Sequence, residues 1–86
     1  MPLRRSPGTP RLTSDWVEFP MEDTLTKRRV DCRASYGVLR KIGGSASSSR
    51  DELFAIFYQV RSRIEEMADA KYIAGQNPPH LFPENI

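Results

Sequence analysis

The sequence predicts an α+β fold: a small two-layer domain in which an antiparallel β-hairpin is packed by a short and a long α-helix. Three observations predict it. Apolar residues recur at helical spacing between Ser49 and Gly75. Side chains alternate with a period of two from Arg29 to Ala34. A shorter alternation runs through Trp16-Val17-Glu18-Phe19. The alternating segments come first and the helical ones after, which places strands in one layer and helices in the other.

Residues 1–14 hold Pro2, Pro7, Gly8 and Pro10 and few large apolar side chains. That composition does not offset the entropy of ordering. They are expected to form a disordered N-terminal arm, with residues 15–86 as a single domain. Trp16 to Phe19 is the first strand, and Pro20, which has no N–H to donate, ends it or confines it to a sheet edge. Met21 to Thr26 reads as a loop. In the second strand Val30, Cys32 and Ala34 face one way and Asp31 and Arg33 the other, the pattern of a half-buried antiparallel strand. The connecting loop comes to roughly seven to nine residues, longer than the commonest hairpin turns.

Ser35 can cap a short helix through Ile42, with Val38, Leu39 and Ile42 on its buried side and Gly43-Gly44 as its stop. Gly37 weakens that helix by about 1 kcal/mol relative to alanine, so the helix depends on packing. Gly43 to Ser48 reads as a flexible connector. Beyond the long helix, His80-Leu81-Phe82 could add a short third strand or lie across the core, and Pro79 and Pro83 keep that segment short.

The long helix carries its own signals. Ser49-Arg50-Asp51-Glu52 has the form of a capping box, and the two acids lie where the helix dipole is positive. Leu53, Ile56, Phe57, Val60, Ile64, Met67 and Ala68 fall within an arc of roughly 120–140°, a core-facing stripe. Gly75 is the natural terminator, with Asn77 and Pro78-Pro79 beyond it. Lys71, near the centre of the stripe, is expected to bury its stem and keep its ammonium in water. Glu65, Glu66 and Asp69 read as a solvated helix face. Phe54, Tyr58, Arg61, Glu65 and Tyr72 share one flank. Phe54, Tyr58, Arg61 and Tyr72 are the candidate partner surface, because Tyr, Phe and Arg are enriched in interface cores. The plainer reading is that these aromatics pack under the rest of the domain.

The net charge of +2 is unevenly spread. Arg4, Arg5 and Arg11 stand in the arm without an acid, which leaves ten basic against eleven acidic residues elsewhere, about −1. A nucleic-acid-binding domain ordinarily carries its positive charge as a patch on the fold. The candidate polyanion contacts are therefore Arg4, Arg5, Arg11 and the run Lys27-Arg28-Arg29, which Asp23 and Asp31 flank. A helix-turn-helix reading fails because the long helix opens Asp51-Glu52-Leu53-Phe54, where a recognition helix presents basic and polar side chains.

Catalytic chemistry is thin. Cys32 and His80 are the only soft ligands in the chain, whereas a structural zinc site needs four. Cys32 sits on the apolar phase of its strand, where a thiol behaves as a small hydrophobe. Gly43-Gly44-Ser45 lacks the lysine of a phosphate loop. The expectation is no enzyme, no catalytic residues, no metal and no cofactor. The lone cysteine allows no intrachain disulfide, and no apolar run suits a signal peptide or a membrane span. A soluble cytoplasmic protein is expected.

Val17-Glu18-Phe19-Pro20, Val30-Asp31-Cys32-Arg33-Ala34-Ser35, Val38-Leu39 with Gly43-Gly44, and Arg63-Ile64-Glu65 with Ala70-Lys71-Tyr72 resemble the pattern of a family of small bacterial proteins known as a domain of unknown function. The resemblance covers about residues 16 to 75. It implies an α+β fold in a bacterial cytosolic setting and implies no activity. Members usually continue into an apolar C-terminal strand, which Pro78, Pro79 and Pro83 interrupt here. The functional expectation is a non-catalytic protein-interaction module that binds another protein or itself as a homodimer, with no membrane partner. The alternative is a nucleic-acid-associated protein that uses the basic arm and the Lys27–Arg29 turn.

Overall fold

The computed structural model describes residues 2–44 and 49–85. The elements run β1 (Leu3–Arg5), β2 (Arg11–Leu12), β3 (Trp16–Asp23), β4 (Arg29–Ser35), α1 (Tyr36–Gly43), α2 (Arg50–Ile73) and β5 (His80–Leu81), then a short 3-10 turn over Pro83–Asn85. They form one five-stranded sheet in the order β1-β3-β4-β5, with β2 also paired to β3. Both helices cover one face, as expected of a two-layer α+β domain. The expected connector at Gly43 to Ser48 falls largely on residues 45–48, outside the described residues.

The hairpin is longer than its sequence signal. β3 runs through Pro20 to Asp23 and pairs with β4 from Trp16↔Ser35 to Glu22↔Arg29. Pro20 is tolerated because of where its missing donor falls. Its carbonyl accepts from the Ser6 N–H on the β1/β2 side. The N and C=O of a strand residue point the same way, so the absent N–H lies on that side too, where the chain leaves β1 and loops out before β2. The connecting loop is only Thr24 to Arg28. Asp23 folds it by accepting from the N–H groups of Leu25 and Thr26 at 2.8 and 3.2 Å, an Asx-type turn.

Residues 1–14 correct the expectation of a disordered arm. Leu3 is fully buried, and Leu3–Arg5 pairs antiparallel with Met21–Asp23. Arg11 and Leu12 pair with Glu18 and Val17. Composition misses this because the groups that hold the segment lie on α2, far away in sequence. The chain's end also pairs: β5 lies parallel to β4, with Ala34 opposite Leu81. A parallel partner requires a long crossover, here supplied by α1 and α2.

Val17, Phe19, Met21, Val30, Cys32 and Ala34 supply the sheet side of the core, and Leu53, Ile56, Phe57, Ile64 and Ala68 the α2 side. The Phe19 and Phe57 rings meet at 5.4 Å between centroids. α2 begins at Arg50, with Ser49 in the extended N-cap conformation but without the expected side-chain capping bond; backbone bonding from Leu53 to Ser49 at 2.9 Å closes the first turn instead. It ends in a Schellman arrangement, Gly75 donating to Tyr72 and Gln76 to Lys71, with Gly75 at φ +101°. Gly37 also has a positive role. A Cβ there would stand 2.5 Å from Pro83 Cγ, so the glycine lets the C-terminal turn close on α1.

Candidate functional site

The expected partner surface is divided. Phe54 and Tyr58, one turn apart on α2, place their rings 5.6 Å apart, and Tyr58 meets Phe57 edge-on. The Arg61 guanidinium lies 5.6 Å from the Phe57 ring and 5.9 Å from that of Tyr58. Phe54 is half-buried against the core, and Tyr58 is 51% exposed. These three form one stack. Tyr72 stands apart, four turns along the helix, where its hydroxyl donates to Asp23 Oδ2 at the hairpin end. That contact holds the Asp23 carboxyl below its ordinary range, helped by the N–H groups of Leu25 and Thr26, and pushes the Tyr72 phenol up.

The acids of α2 are not the solvated face that their charge suggests. Of Glu65, Glu66 and Asp69 only Glu66 is exposed; Glu65 and Asp69 are buried, as is Arg61. Asp69 Oδ1 accepts from the Leu3 N–H at 2.8 Å. Glu65 accepts twice from Arg5, through Nε and Nη2, both at 2.9 Å, and once from Arg61 Nε at 3.1 Å. Two carboxylates of the helix thus clamp the N-terminal strand, with Arg61 holding one of them, Glu65. The signal that could have found them is spacing. Arg61, Glu65 and Asp69 stand at i, i+4 and i+8 beside the apolar stripe, so they form one charged row on a flank bordering the core, with Arg61 and Glu65 as an opposed i,i+4 pair. A cavity of about 340 Å³ opens beside this clamp, with Leu3 and Met21 among its apolar lining and Ser62, Glu65 and Glu66 among its polar lining.

The expected polyanion contacts are mostly paired. Arg4 donates to Glu22 at 2.7 Å, Arg5 to Glu65, Arg11 to Glu18 at 2.8 Å and Arg29 to Asp31 at 2.8 Å. Lys27, at φ +63°, and Arg28 stay exposed on the hairpin turn. The structure does not gather these six residues into one patch: Arg5 lies on the helix side of the sheet, Arg4, Arg11 and Arg29 on its open side, each facing a carboxylate, and Lys27 and Arg28 on the turn.

Cys32 and His80 do not meet as nucleophile and base. The Cys32 thiol is fully buried, and burial, with the charges of Asp31 and Glu65, pushes it up to about 12. His80 is on the other face of the sheet, opposite Arg33. Its ring stacks on Phe82 at 4.3 Å and meets Trp16 edge-on at 5.3 Å. Burial, then Arg33 and Lys71, lowers its tendency to take a proton. Arg33 covers the Trp16 ring at 5.1 Å, and Lys71 sits 5.9 Å from the Phe82 ring, its stem half-buried as the stripe position requires. This aromatic cluster leaves no local signal in the chain, because Trp16, Arg33 and His80 meet only through the β3-β4-β5 register. No group of three or more His, Cys, Asp or Glu side chains among the described residues could hold a metal ion. No helix among them is long and apolar enough to cross a membrane.

A family model described as "Protein of unknown function (DUF1488)" matches residues 11–79, from β2 to the residue before β5. It is the kind of family that the sequence motifs resembled. No curated protein and no solved structure matches the chain.

Proposed function

Because the chain belongs to the DUF1488 family of proteins of unknown function, its role has to be read from its own surface, and we propose that it is a non-catalytic protein-interaction module that associates with a second copy through the Phe54–Tyr58 flank of α2. The observation that carries this reading is the half-exposed Tyr58 ring, braced by Phe54 and Phe57 and underlain by the buried Arg61. A rigid aromatic with an arginine beside it, on a regular helix, is the composition of an interface centre. Strand addition is the less favoured mode, since both sheet edges are short and capped. Asp69 takes the Leu3 N–H of β1, and the Gln76 side chain takes the His80 N–H of β5 at 2.9 Å.

The non-catalytic part of the proposal draws on the unreactive state of the Cys32 thiol and the packed ring of His80. A cytoplasmic setting is proposed with it, since a lone buried free thiol suits a reducing compartment. The nucleic-acid reading gains no observation of its own: four of its six basic residues already face a carboxylate. Light scattering across a concentration series tests the proposal. The expected result is a dimer that Tyr58→Asp converts to a folded monomer. A monomer at every concentration, or a dimer indifferent to Tyr58→Asp, overturns association through this flank.

A further inference from the structure

The open face of the sheet carries an arrangement that neither the family nor the helix flank accounts for. Trp16 and Ser35 are cross-strand partners of β3 and β4, so their side chains share a face, and Arg33 lies on that face two residues before Ser35. In each of the three a polar atom is shut off from solvent without a hydrogen-bond partner: Trp16 Nε1, Arg33 Nε and Ser35 Oγ. All three can donate, and the first two can only donate. A buried polar atom left unpaired is costly, so three together at one site need a common explanation.

Their surroundings point to what is wanted. Ser35 is the N-cap of α1 yet makes no side-chain capping bond, and the first turn of α1 contains no acid. The helix therefore sets no acid of its own against its positive end beside the three donors, although the Tyr36 N–H already donates to the Asp15 carbonyl at 3.3 Å. Arg33 and Lys71 both act on His80 as nearby positive charges. The opposing charge is Glu18, whose Oε2 lies 3.6 Å from Arg33 Nε, an ion pair too long for a hydrogen bond, while its Oε1 takes Arg11 at 2.8 Å. Arg33 is thus the loosely tied group. It lies across the Trp16 ring with its side chain 38% exposed, free to lift and admit a ligand.

We propose that this end of the open sheet face is an oxyanion site for a phosphate group. Trp16 Nε1–H, Ser35 Oγ–H and Arg33 Nε–H are its donors, and the N-terminus of α1 supplies further positive potential. The same chemistry serves inorganic phosphate and the phosphate of a small phosphate ester. The site is separate from the α2 flank and stands whether or not that flank binds a partner.

Trp16 is the only tryptophan in the chain, so its indole N–H gives a single, assigned signal in a nitrogen–proton correlation spectrum. The experiment titrates the full chain with inorganic phosphate and with a nucleoside monophosphate, using sodium chloride at matched ionic strength as the control. The expected result is a saturable shift of the indole N–H with at least one phosphate species and none with chloride. Arg33→Gln should weaken binding at least about tenfold, the loss expected for one charge-assisted hydrogen bond. Ser35→Ala should weaken it in the same direction, and the remaining amide peaks of both variants report that the fold is intact. Equal affinity for the two species assigns recognition to the phosphate alone, and tighter nucleotide binding assigns it to a phosphate ester. An indole signal that stays still, that follows chloride equally, or that shifts undiminished in folded Arg33→Gln overturns the site.

Discussion

At the scale of single residues, the side chains that matter most are those with two jobs. Asp23 closes the β3-β4 turn through Leu25 and Thr26 and also anchors the end of α2 through Tyr72. All of these contacts favour its charged form, so its carboxyl titrates below the ordinary 3.8, with the Tyr72 hydroxyl as the largest cause. A carboxyl whose value is lowered by folding contributes stability that is present in full above its unfolded value. That contribution drains away as the pH falls through the lowered, folded value. Removing the Tyr72 hydroxyl should bring the two values closer, with the Leu25 and Thr26 N–H groups still holding the carboxyl down. Tyr72→Phe is therefore expected to be less stable than the parent near neutral pH, with the difference shrinking at acid pH. Urea denaturation at several pH values from neutral downward measures it. A difference that does not change with pH would show that Tyr72 contributes by packing alone.

At the scale of elements, β1 illustrates how a strand forms without a strand signal. Leu3-Arg4-Arg5 has one apolar residue and two cations, and no sequence window around it looks foldable. Its stability is written on α2, in Glu65 and Asp69, which charge alone assigns to solvent. By contrast, α2 and β4 were readable because their information is local: an apolar stripe with a glycine stop, and a clean two-residue alternation. The extension of β3 past Pro20 was not readable, since it depends on which side the missing N–H falls. The open-face cluster was hidden for a related reason, as the parallel register that brings His80 beside Arg33 is set by the whole α1-α2 crossover. The clamp makes a specific prediction. Asp69→Ala leaves the Leu3 N–H buried and unpaired, which should cost about 1–3 kcal/mol. Chemical denaturation gives that number, and hydrogen exchange locates it. Loss of protection confined to Leu3 and its neighbours, with α2 unchanged, is the expected pattern; protection of Leu3 equal to the parent's would remove Asp69 from its assigned role.

At the scale of the whole molecule, one thin core has to serve the entire chain, and Cys32 lies at its middle. It pairs with Phe19 across the sheet, and every layer of the domain separates its thiol from water. Burial is the chief reason that the thiol titrates at about 12, against an ordinary value of 9.0. A thiol whose value is raised by folding contributes stability that is fully present below the unfolded value. It is lost as the pH climbs from there through the folded value, because only the unfolded chain ionises readily in between. The protein should therefore weaken above about pH 9, and Cys32→Ala should remove that part of the alkaline loss while lowering stability at neutral pH by the cost of a small cavity. The same burial sets how the thiol reacts. In a small domain closed at both sheet edges, no local opening of β1 or β5 uncovers the β3-β4 pair, so alkylation has to await unfolding of the whole. Labelling rates measured across low denaturant concentrations should then return the same free energy as global unfolding. Faster labelling would mean that β4 opens independently, and the domain would be two cooperative units in place of one.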